Sequence, residues 1–270
     1  MSPNPTAGSG QTRKQRRERA RAARRVKEAA QRRSAVARRR LKLIGGLTVA
    51  LLAVVSLALL GLRGERAPMG ATLTKAQLRL ASLASLGALH PPGEAGPLGP
   101  EEVPIPEAPP AATTASKAAG EPVDGIECSS SEQTLFHIHA HLTIFVNGVA
   151  KRVPYGIGIP DAHAENTPAG PFVGSGSCFY WLHTHAADGI IHIESPIQRI
   201  YTLGNFFDVW GQPLSPSQVG PASGPVTAIY NGQRYLGDPR QIPLTAHAQI
   251  QLDVGRPLVA PDVIKFPHGL

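Results

Sequence analysis

Polar and apolar residues alternate along several short segments in the second half of the chain, as they do in strands with one buried face. Asn-Gly or Asp-Gly pairs interrupt these segments, and both pairs favour the tight turns that join antiparallel strands. The turns fall at Asn147-Gly148, Asp188-Gly189 and Asn231-Gly232, and a last alternating strand covers residues 246–254. The pattern therefore predicts three hairpins in a mostly β domain.

One segment breaks this alternation. Residues 203–210 lie between Thr202, a residue type that caps helix N-termini, and Gly211, a residue type that ends helices, which predicts a short helix. From Ile190 onward the predicted order is strand, short helix, strand, hairpin turn and strand, as in the second half of a β-grasp domain. The expected fold class is α+β and mostly β, a mixed sheet with one short helix that is β-grasp-like in its second half.

An uninterrupted apolar run precedes the domain. Residues 43–62 carry no charge and, at about 1.5 Å rise per residue, match a hydrocarbon core about 30 Å thick. A signal peptide is the main alternative, but its apolar region is shorter and ends in a small-residue cleavage site, whereas Arg63-Gly64-Glu65-Arg66 follows here. A twin-arginine export signal at Arg38-Arg39-Arg40 also stays open. Residues 43–62 are predicted to form a single-pass transmembrane helix that serves as a signal-anchor.

Charge is divided unevenly at Lys42. Residues 1–42 contain fifteen Lys and Arg against Glu18 and Glu28, a net charge of +13, whereas the rest contains twelve basic and seventeen acidic residues, a net charge of −5. Basic residues beside a transmembrane segment stay cytoplasmic, so the Arg-rich tail is predicted inside a bacterial cell membrane and the C-terminal domain outside it. Binding to anionic lipid or nucleic acid is open for the tail alone, and no nucleic acid is expected for the folded domain.

Residues 63–125 join the apolar run to the hairpins as a juxtamembrane segment and linker. Leucines at roughly helical spacing predict a short helix within residues 71–90. Residues 91–124 are mostly Pro, Ala, Gly and Glu, a composition with too little apolar surface to fold, and they are predicted to form an extended spacer. The folded part is therefore predicted to be one His-rich domain, residues 126–270.

Three histidines form a row on the first predicted strand. His137, His139 and His141 alternate with apolar residues, so they project from one face. Residues two apart on a strand, at about 6.6 Å, can bind one ion, whereas residues four apart, at about 13 Å, cannot. One ion therefore requires two histidines of this row and at least one ligand from another strand.

The hairpin around Asp188-Gly189 offers such ligands. They are His183, His185, His192 and Glu194. If the turn has two residues, His185 lies opposite His192 and His183 opposite Glu194, and all four share one face. A three-residue turn would shift this register by one residue.

A transition metal is the expected ligand of both groups. Imidazole is the commonest metal ligand and suits zinc, copper, iron and nickel. Because the domain is predicted to lie outside the membrane and has no cluster of cysteine ligands, copper(II) or zinc is the expected ion. Glu194 is expected to complete the ligand set or to hydrogen-bond a ligating imidazole. The alternative is a polar seam in which the histidines satisfy backbone groups without a metal.

The two cysteines, Cys128 and Cys178, both fall in the predicted extracytoplasmic domain. Two cysteines in an oxidising compartment favour a disulfide. The alternative is a blue-copper-like site with Cys178 as a ligand. Such a site also needs a weak axial Met, and Met1 and Met69 lie outside the domain.

Four longer motifs run through the domain. They are Phe136-His-Ile-His-Ala-His-Leu, Tyr180-Trp-Leu-His-Thr-His, Gly189-Ile-Ile-His-Ile-Glu-Ser-Pro and Thr202-Leu-Gly-Asn-Phe-Phe-Asp-Val-Trp-Gly. With them, residues 126–270 resemble a family of bacterial membrane-anchored or exported proteins that has no established activity. The resemblance implies a unit with these bounds and no particular cofactor or partner.

Three functions stay open. A metal-binding module for sensing, buffering or delivery is expected first, then a small metal-dependent enzyme, then a metal-free structural or interaction domain. His-Ile-His on a strand resembles the zinc strand of α-class carbonic anhydrases, but the domain is too short for that fold. Ser195 and Asp188 lie near the histidines without the context of a catalytic triad, so binding is favoured over catalysis. The expected partners are the membrane and the metal ion, and the sequence predicts no particular protein partner.

Overall fold

The computed structural model describes residues 78–114 and 118–270. The predicted cytoplasmic tail, residues 1–42, and the predicted transmembrane helix, residues 43–62, lie outside the described residues. Within the two described ranges, no helix is both long enough and apolar enough to cross a membrane. The described residues make up the C-terminal domain and the segment before it.

The described residues form seventeen short strands, one α-helix and two 3₁₀ helices. The strands are β1 (Leu80–Ala81), β2 (Cys128–Ser129), β3 (Phe136–Val146), β4 (Val149–Lys151), β5 (His163–Thr167), β6 (Gly170–Ser175), β7 (Phe179–Tyr180), β8 (Leu182–His183), β9 (Ile190–Ser195), β10 (Tyr201–Thr202), β11 (Leu214–Ser215), β12 (Gln218–Val219), β13 (Ala222–Ser223), β14 (Val226–Tyr230), β15 (Gln233–Tyr235), β16 (Pro243–Leu244) and β17 (Ala248–Val254). The α-helix, α1, is Leu203–Trp210, and the 3₁₀ helices are Leu83–Leu86 and Pro239–Gln241. The expected α+β, mostly β class with one short helix is confirmed.

One mixed sheet of eight strands organises the domain. Its order is β1-β15-β14-β17-β3-β9-β8, and β4 also pairs with β3. Strand β17 runs parallel to β3, whereas β9 and β4 pair with β3 antiparallel. The hairpins predicted at Asn147-Gly148 and Asn231-Gly232 are confirmed as the β3–β4 and β14–β15 connections. Strand β3 is therefore central, with hydrogen-bonded neighbours on both sides.

Alternation along β3 and β9 separates the two faces of the sheet. Ala140 and Leu142 on β3 belong to one buried cluster with Ile191 and Ile193 on β9. The same cluster contains the large side chains of α1, namely Phe206, Phe207 and Trp210. Because strand side chains alternate, the residues between these apolar positions, including the histidines, project from the opposite face.

Helix α1 begins and ends where its sequence predicts. The Asn205 N–H donates to Thr202 Oγ1 at 3.3 Å, and the Thr202 N–H donates to Asn205 Oδ1 at 3.0 Å. At the other end Gly211 adopts a left-handed conformation with φ of 71°, and its N–H donates to the Asp208 carbonyl at 3.0 Å. Reciprocal capping satisfies amide groups that the helix itself leaves unpaired.

Removal of this cap is expected to destabilise the domain. Thr202→Ala is expected to lower the free energy of unfolding by about 1 kcal/mol, because the side chain that accepts the Asn205 N–H is lost. Thr202→Ser retains the hydroxyl and serves as the matched control. Urea unfolding followed by circular dichroism measures the difference, and equal stability of all three proteins would contradict the prediction.

Described residues 87–114 and 118–125 have little regular structure, but they pack against the rest of the domain. The His90 N–H donates to the Leu258 carbonyl at 2.9 Å, and the Trp210 indole N–H donates to the Thr113 carbonyl at 2.7 Å. Val103 is fully buried. The described part of the segment predicted to be an extended spacer is thus irregular and docked, because backbone hydrogen bonds and a few apolar side chains compensate for its poor composition.

The described part of residues 71–90 is not an α-helix. Leu80–Ala81 form β1, which pairs with β15 through Leu80 and Tyr235, and a 3₁₀ helix follows at Leu83–Leu86. The leucine spacing predicted a helix, but the exposed edge of β15 offers backbone hydrogen bonds that favour an extended chain. This part of the chain therefore extends the sheet by one strand.

Candidate metal centre

Three adjacent strands of the sheet bring the histidines together. On β3 and β9, His139 lies opposite His192 and His137 lies opposite Glu194. On β8, His183 also lies opposite His192. Side chains opposite one another in antiparallel strands have Cβ atoms about 4.5–5.5 Å apart, so these pairings alone place the paired side chains in contact.

The predicted register of the β8–β9 hairpin is wrong. A two-residue turn would place His185 opposite His192, but the structure pairs His183 with His192, and residues 184–189 form the loop. Strand β8 ends because Thr184 binds elsewhere: its hydroxyl donates to the Pro154 carbonyl at 2.9 Å and its N–H to the Ile157 carbonyl at 3.1 Å. His185 thus leaves the strand but stays beside His183.

The first group of potential ligands is His137, His139, His192 and Glu194. His139 Nε2 lies 3.1 Å from His137 Nε2 and 3.1 Å from His192 Nδ1. Glu194 Oε1 lies 3.2 Å from His137 Nε2 and 3.3 Å from His192 Nδ1. A tetrahedral ion with bonds of about 2.1 Å has ligand atoms about 3.4 Å apart. These four separations are close to that edge length, so the atoms of this group can approach one ion.

The second group shares His192 and Glu194 with the first and adds His183 and His185, whose Nε2 atoms lie 3.1 Å apart. His183 Nδ1 lies 2.8 Å from the Tyr180 carbonyl, and His185 Nδ1 lies 2.5 Å from the Val173 carbonyl. A carbonyl oxygen only accepts, so both Nδ1 atoms carry the proton in these contacts. In the neutral rings, both Nε2 atoms then present lone pairs to each other.

Burial keeps these rings neutral. Desolvation, followed by the charge of His192, lowers the pKa of His183 well below its usual value and also lowers the pKa of His185. The same causes, with a further contribution from His137, lower the pKa of His139 to about 3. Because a metal competes with protons for imidazole nitrogen, low pKa values leave these three rings available to a metal at neutral pH.

Two carboxylates surround His192. Glu101 accepts a hydrogen bond from its Nε2–H at 2.7 Å, and Glu194 lies against its Nδ1. Burial alone would lower the pKa of His192, but the hydrogen bonds to Glu101 and Glu194 raise it to about 9. Within residues 78–114 and 118–270, Glu101 Oε2 and Glu194 Oε2 are buried without a hydrogen-bond partner. An unpaired buried carboxylate oxygen is costly, so both atoms are suited to a cation.

His141, which the sequence grouped with the other ligands, lies apart from them. Its Nε2–H donates to the Asp188 carbonyl at 2.9 Å, and burial lowers its pKa to about 4 despite that bond. His141 and Asp188 line a cavity of about 790 Å³ with residues 262–268. Burial, with a smaller contribution from Glu101, raises the pKa of Asp188 to about 8. The structure therefore brings together six of the seven predicted metal residues.

Sequence reasoning missed Glu101 and Glu132. Glu101 lies in a small hairpin, residues 97–105, in which the Gly99 N–H donates to the Val103 carbonyl at 2.8 Å. Glu132 precedes β3, and its Oε1 lies 3.4 Å from His185 Nε2. Apolar Leu98, Val103 and Ile105 close to Glu101 were the only signal that part of the linker packs.

Cys128 and Cys178 form a disulfide. The bond links β2 to the residue just before β7, and those two strands also pair through Cys128 and Tyr180. Because its sulfur is bonded to Cys128, Cys178 is not a thiolate ligand, and the blue-copper-like alternative is wrong. The disulfide instead anchors the chain that leads into His183.

Comparison with known proteins assigns no ligand or activity to these residues. No protein-family model matches the chain, and neither the curated proteins nor the solved structures include a match. The chemical interpretation of the site therefore rests on its own atoms, five imidazoles and a carboxylate that converge on one face of the sheet.

Proposed function

We propose that the domain is a membrane-anchored, extracytoplasmic metal-binding module that senses, buffers or delivers copper or zinc. One observation carries this proposal: His183 and His185 direct their Nε2 lone pairs at each other across 3.1 Å. Two lone pairs repel unless a proton or a cation lies between them, and burial disfavours the proton by lowering both pKa values. A metal ion converts this repulsion into two bonds.

The ligand types are compatible with both metals. Imidazole and carboxylate bind zinc and copper(II), but copper(II) prefers square-planar or tetragonal geometry. The four contacts of 3.1–3.3 Å that link His137, His139, His192 and Glu194 in a ring are close to the roughly 3.4 Å edge of a zinc tetrahedron. Zinc is therefore the first ion to test, and copper(II) the second.

Burial of the ligands supports binding rather than catalysis. His139, His183, His185, His192 and Glu194 are all buried. The ring of Phe172 stacks on His185 with centroids 5.0 Å apart. A catalytic zinc keeps one position open to substrate, whereas a closed ligand shell holds the ion. His137, whose side chain is 38 % exposed, offers a route by which an ion enters and leaves.

The proposed location rests on the sequence before the described residues. The apolar residues 43–62 and the basic residues 1–42 support a bacterial membrane anchor with a cytoplasmic N-terminus. The disulfide between Cys128 and Cys178 supports placement outside the membrane, because disulfides persist in oxidising compartments. Membership of the family of bacterial membrane-anchored or exported proteins that the four motifs resemble is part of the same proposal.

The strand order supports the β-grasp likeness as a further part of the proposal. Strand β9 is followed by helix α1, the β14–β15 hairpin and β17, which returns to lie parallel to β3. The short helix lies between two antiparallel hairpins, and the central strands β3 and β17 are parallel. Both features agree with the element order that the sequence predicts. The likeness concerns topology and carries no function of its own.

Titration of the full-length chain tests the proposed function. The protein, purified in detergent and freed of metal by a chelator, is titrated with zinc and then with copper(II) against a competing indicator. Wild type is expected to bind, and His139→Ala/His185→Ala to bind more than about 100-fold more weakly, because loss of an outer-shell partner alone costs 10–100-fold. His163→Ala removes an exposed histidine of β5 and serves as the control. A wild type that binds neither ion would overturn the proposal.

A further inference from the structure

We propose that the centre holds two metal ions side by side, bridged by the carboxylate of Glu194; this inference rests on the proposed metal-binding function. The histidines fall into two pairs, His137 with His139 and His183 with His185, each with Nε2 atoms 3.1 Å apart. The pairs lie on β3 and at the end of β8, which flank β9 on opposite sides. Neighbouring strands are about 4.8 Å apart and β9 lies between the two pairs, so each pair binds a metal ion at a different place.

Glu194 lies on β9, between the two pairs, and its oxygens differ in their surroundings. Oε1 contacts His137 Nε2 at 3.2 Å and His192 Nδ1 at 3.3 Å, which places it in the first group. Oε2 is buried, and the described residues provide it with no hydrogen-bond partner. Glu194 also belongs to the group of His183 and His185, whose ligand atoms lie within 4.8 Å of one another. One carboxylate can thus give an oxygen to each ion, as bridging ligands do in two-metal sites with ions about 3.5–4 Å apart.

His192 lies within reach of both groups, and two contacts assign it to the first ion. Its Nδ1 lies 3.1 Å from His139 Nε2, whereas its Nε2–H is donated to Glu101 at 2.7 Å. A carboxylate that accepts the second ring N–H is the usual orienting partner of a ligating histidine. The first ion is therefore held by His137, His139, His192 and Glu194.

The second ion takes its ligands from the other side of β9. His183 and His185 supply Nε2 atoms, and Glu194 supplies Oε2. Glu132 is the fourth group, since its Oε1 lies 3.4 Å from His185 Nε2 and its side chain is 41 % exposed. The second ion thus has one ligand at the surface, and this is the side from which it exchanges.

The metal content of the full-length chain tests the number of ions that it binds. After zinc loading and removal of loosely bound ions, wild type is expected to retain two zinc ions per chain by elemental mass spectrometry. His137→Gln/His139→Gln and His183→Gln/His185→Gln are each expected to retain one, and His163→Gln to retain two. Circular dichroism checks that each variant is folded, and Glu194→Gln, which changes no histidine, is expected to lose at least one ion.

Copper(II) loading tests the bridge by electron paramagnetic resonance. Two bridged copper(II) ions are expected to show magnetic coupling, which either histidine-pair variant abolishes. One ion in wild type, lost in either pair variant, would overturn the two-ion centre and leave the proposed function intact. Two ions with the spectrum of isolated copper(II), or full retention of both by Glu194→Gln, would overturn the bridge. No bound ion would overturn both proposals.

Discussion

Zinc binding is expected to raise the unfolding temperature of the metal-free domain by about 8–16 °C when free zinc exceeds its Kd about 1,000-fold. A ligand that binds only the folded state stabilises it by about 4 kcal/mol at this excess, and domains of this size shift by about 2–4 °C per kcal/mol. The physical origin is local. Zinc relieves the facing lone pairs of His183 and His185 and provides a partner for Glu194 Oε2, which has none among the described residues.

Thermal unfolding followed by circular dichroism measures this shift on the full-length chain in detergent. His163→Ala is expected to show the wild-type shift, because that side chain is exposed and its strand β5 lies outside the eight-stranded sheet. His139→Ala/His185→Ala is expected to show almost none. An unfolding temperature of wild type that does not respond to saturating zinc would contradict the prediction.

The histidine row was predictable because strand geometry depends on local sequence. His137 and His139 alternate with Ala140 and its apolar neighbours, and a period of two determines the face whatever the rest of the fold does. The same reasoning identified helix α1, whose ends are set by its own capping residues. Features decided by neighbours in sequence were therefore accessible without the structure.

The β8–β9 register was not accessible, since it depends on residues far away in the chain. Thr184 binds Pro154 and Ile157, and these bonds draw the chain out of the ladder after His183. An Asp-Gly pair predicts a tight turn only if the flanking residues stay paired with each other. Here competing bonds to a distant segment outweigh the local preference.

His141 shows that a shared face does not ensure a shared site. It lies opposite Ile190, at the start of β9, where the loop brings the Asp188 carbonyl within 2.9 Å of its Nε2. His139, two residues earlier, lies opposite His192 instead. The partner across the strand decides what each histidine contacts, and the row by itself does not identify that partner.

Glu101 was missed for a related reason. Composition describes the average of a segment, and the average composition of residues 91–124 is that of a linker. One hairpin within them, residues 97–105, nevertheless buries Val103 and brings Glu101 into hydrogen-bond contact with His192. Pairing of a carboxylate with an imidazole ninety-one positions away is a property of the folded chain. Local sequence reasoning has no access to contacts of this range.

Acid is expected to destabilise the metal-free domain by about 1–3 kcal/mol per pH unit below pH 6.5. Burial, the largest cause in each case, lowers the pKa of four histidines in the folded state. They are His139, to about 3, His141, to about 4, and His183 and His185. In the unfolded chain these rings take up protons near pH 6.5, so the unfolded state binds more protons and stability falls as the pH falls.

Buried carboxyls oppose this trend, and Asp188 and Asp253 do so most strongly. Burial raises the pKa of Asp188 to about 8 and that of Asp253 to about 6, so both keep protons in the folded state that the unfolded state releases above about pH 4. His192, with a pKa of about 9, is protonated in both states below pH 6.5, and its stabilising contribution is lost only as the pH rises through 9. On unfolding, three or four histidines take up a proton each and the two carboxyls release one each, so the net uptake is one or two protons. Each proton changes the free energy of unfolding by about 1.4 kcal/mol per pH unit.

Urea unfolding of the metal-free chain at several pH values between 7 and 4.5 measures this slope. His139→Gln removes one of the buried neutral imidazoles and is expected to reduce the slope by about 1 kcal/mol per pH unit, whereas His163→Gln, which removes an exposed ring, leaves it unchanged. Stability that is constant over this range would show that the four rings take up protons in the folded state. In that case burial would not keep the four rings neutral below pH 6.5, and the facing lone pairs assigned to His183 and His185 would be lost over this range.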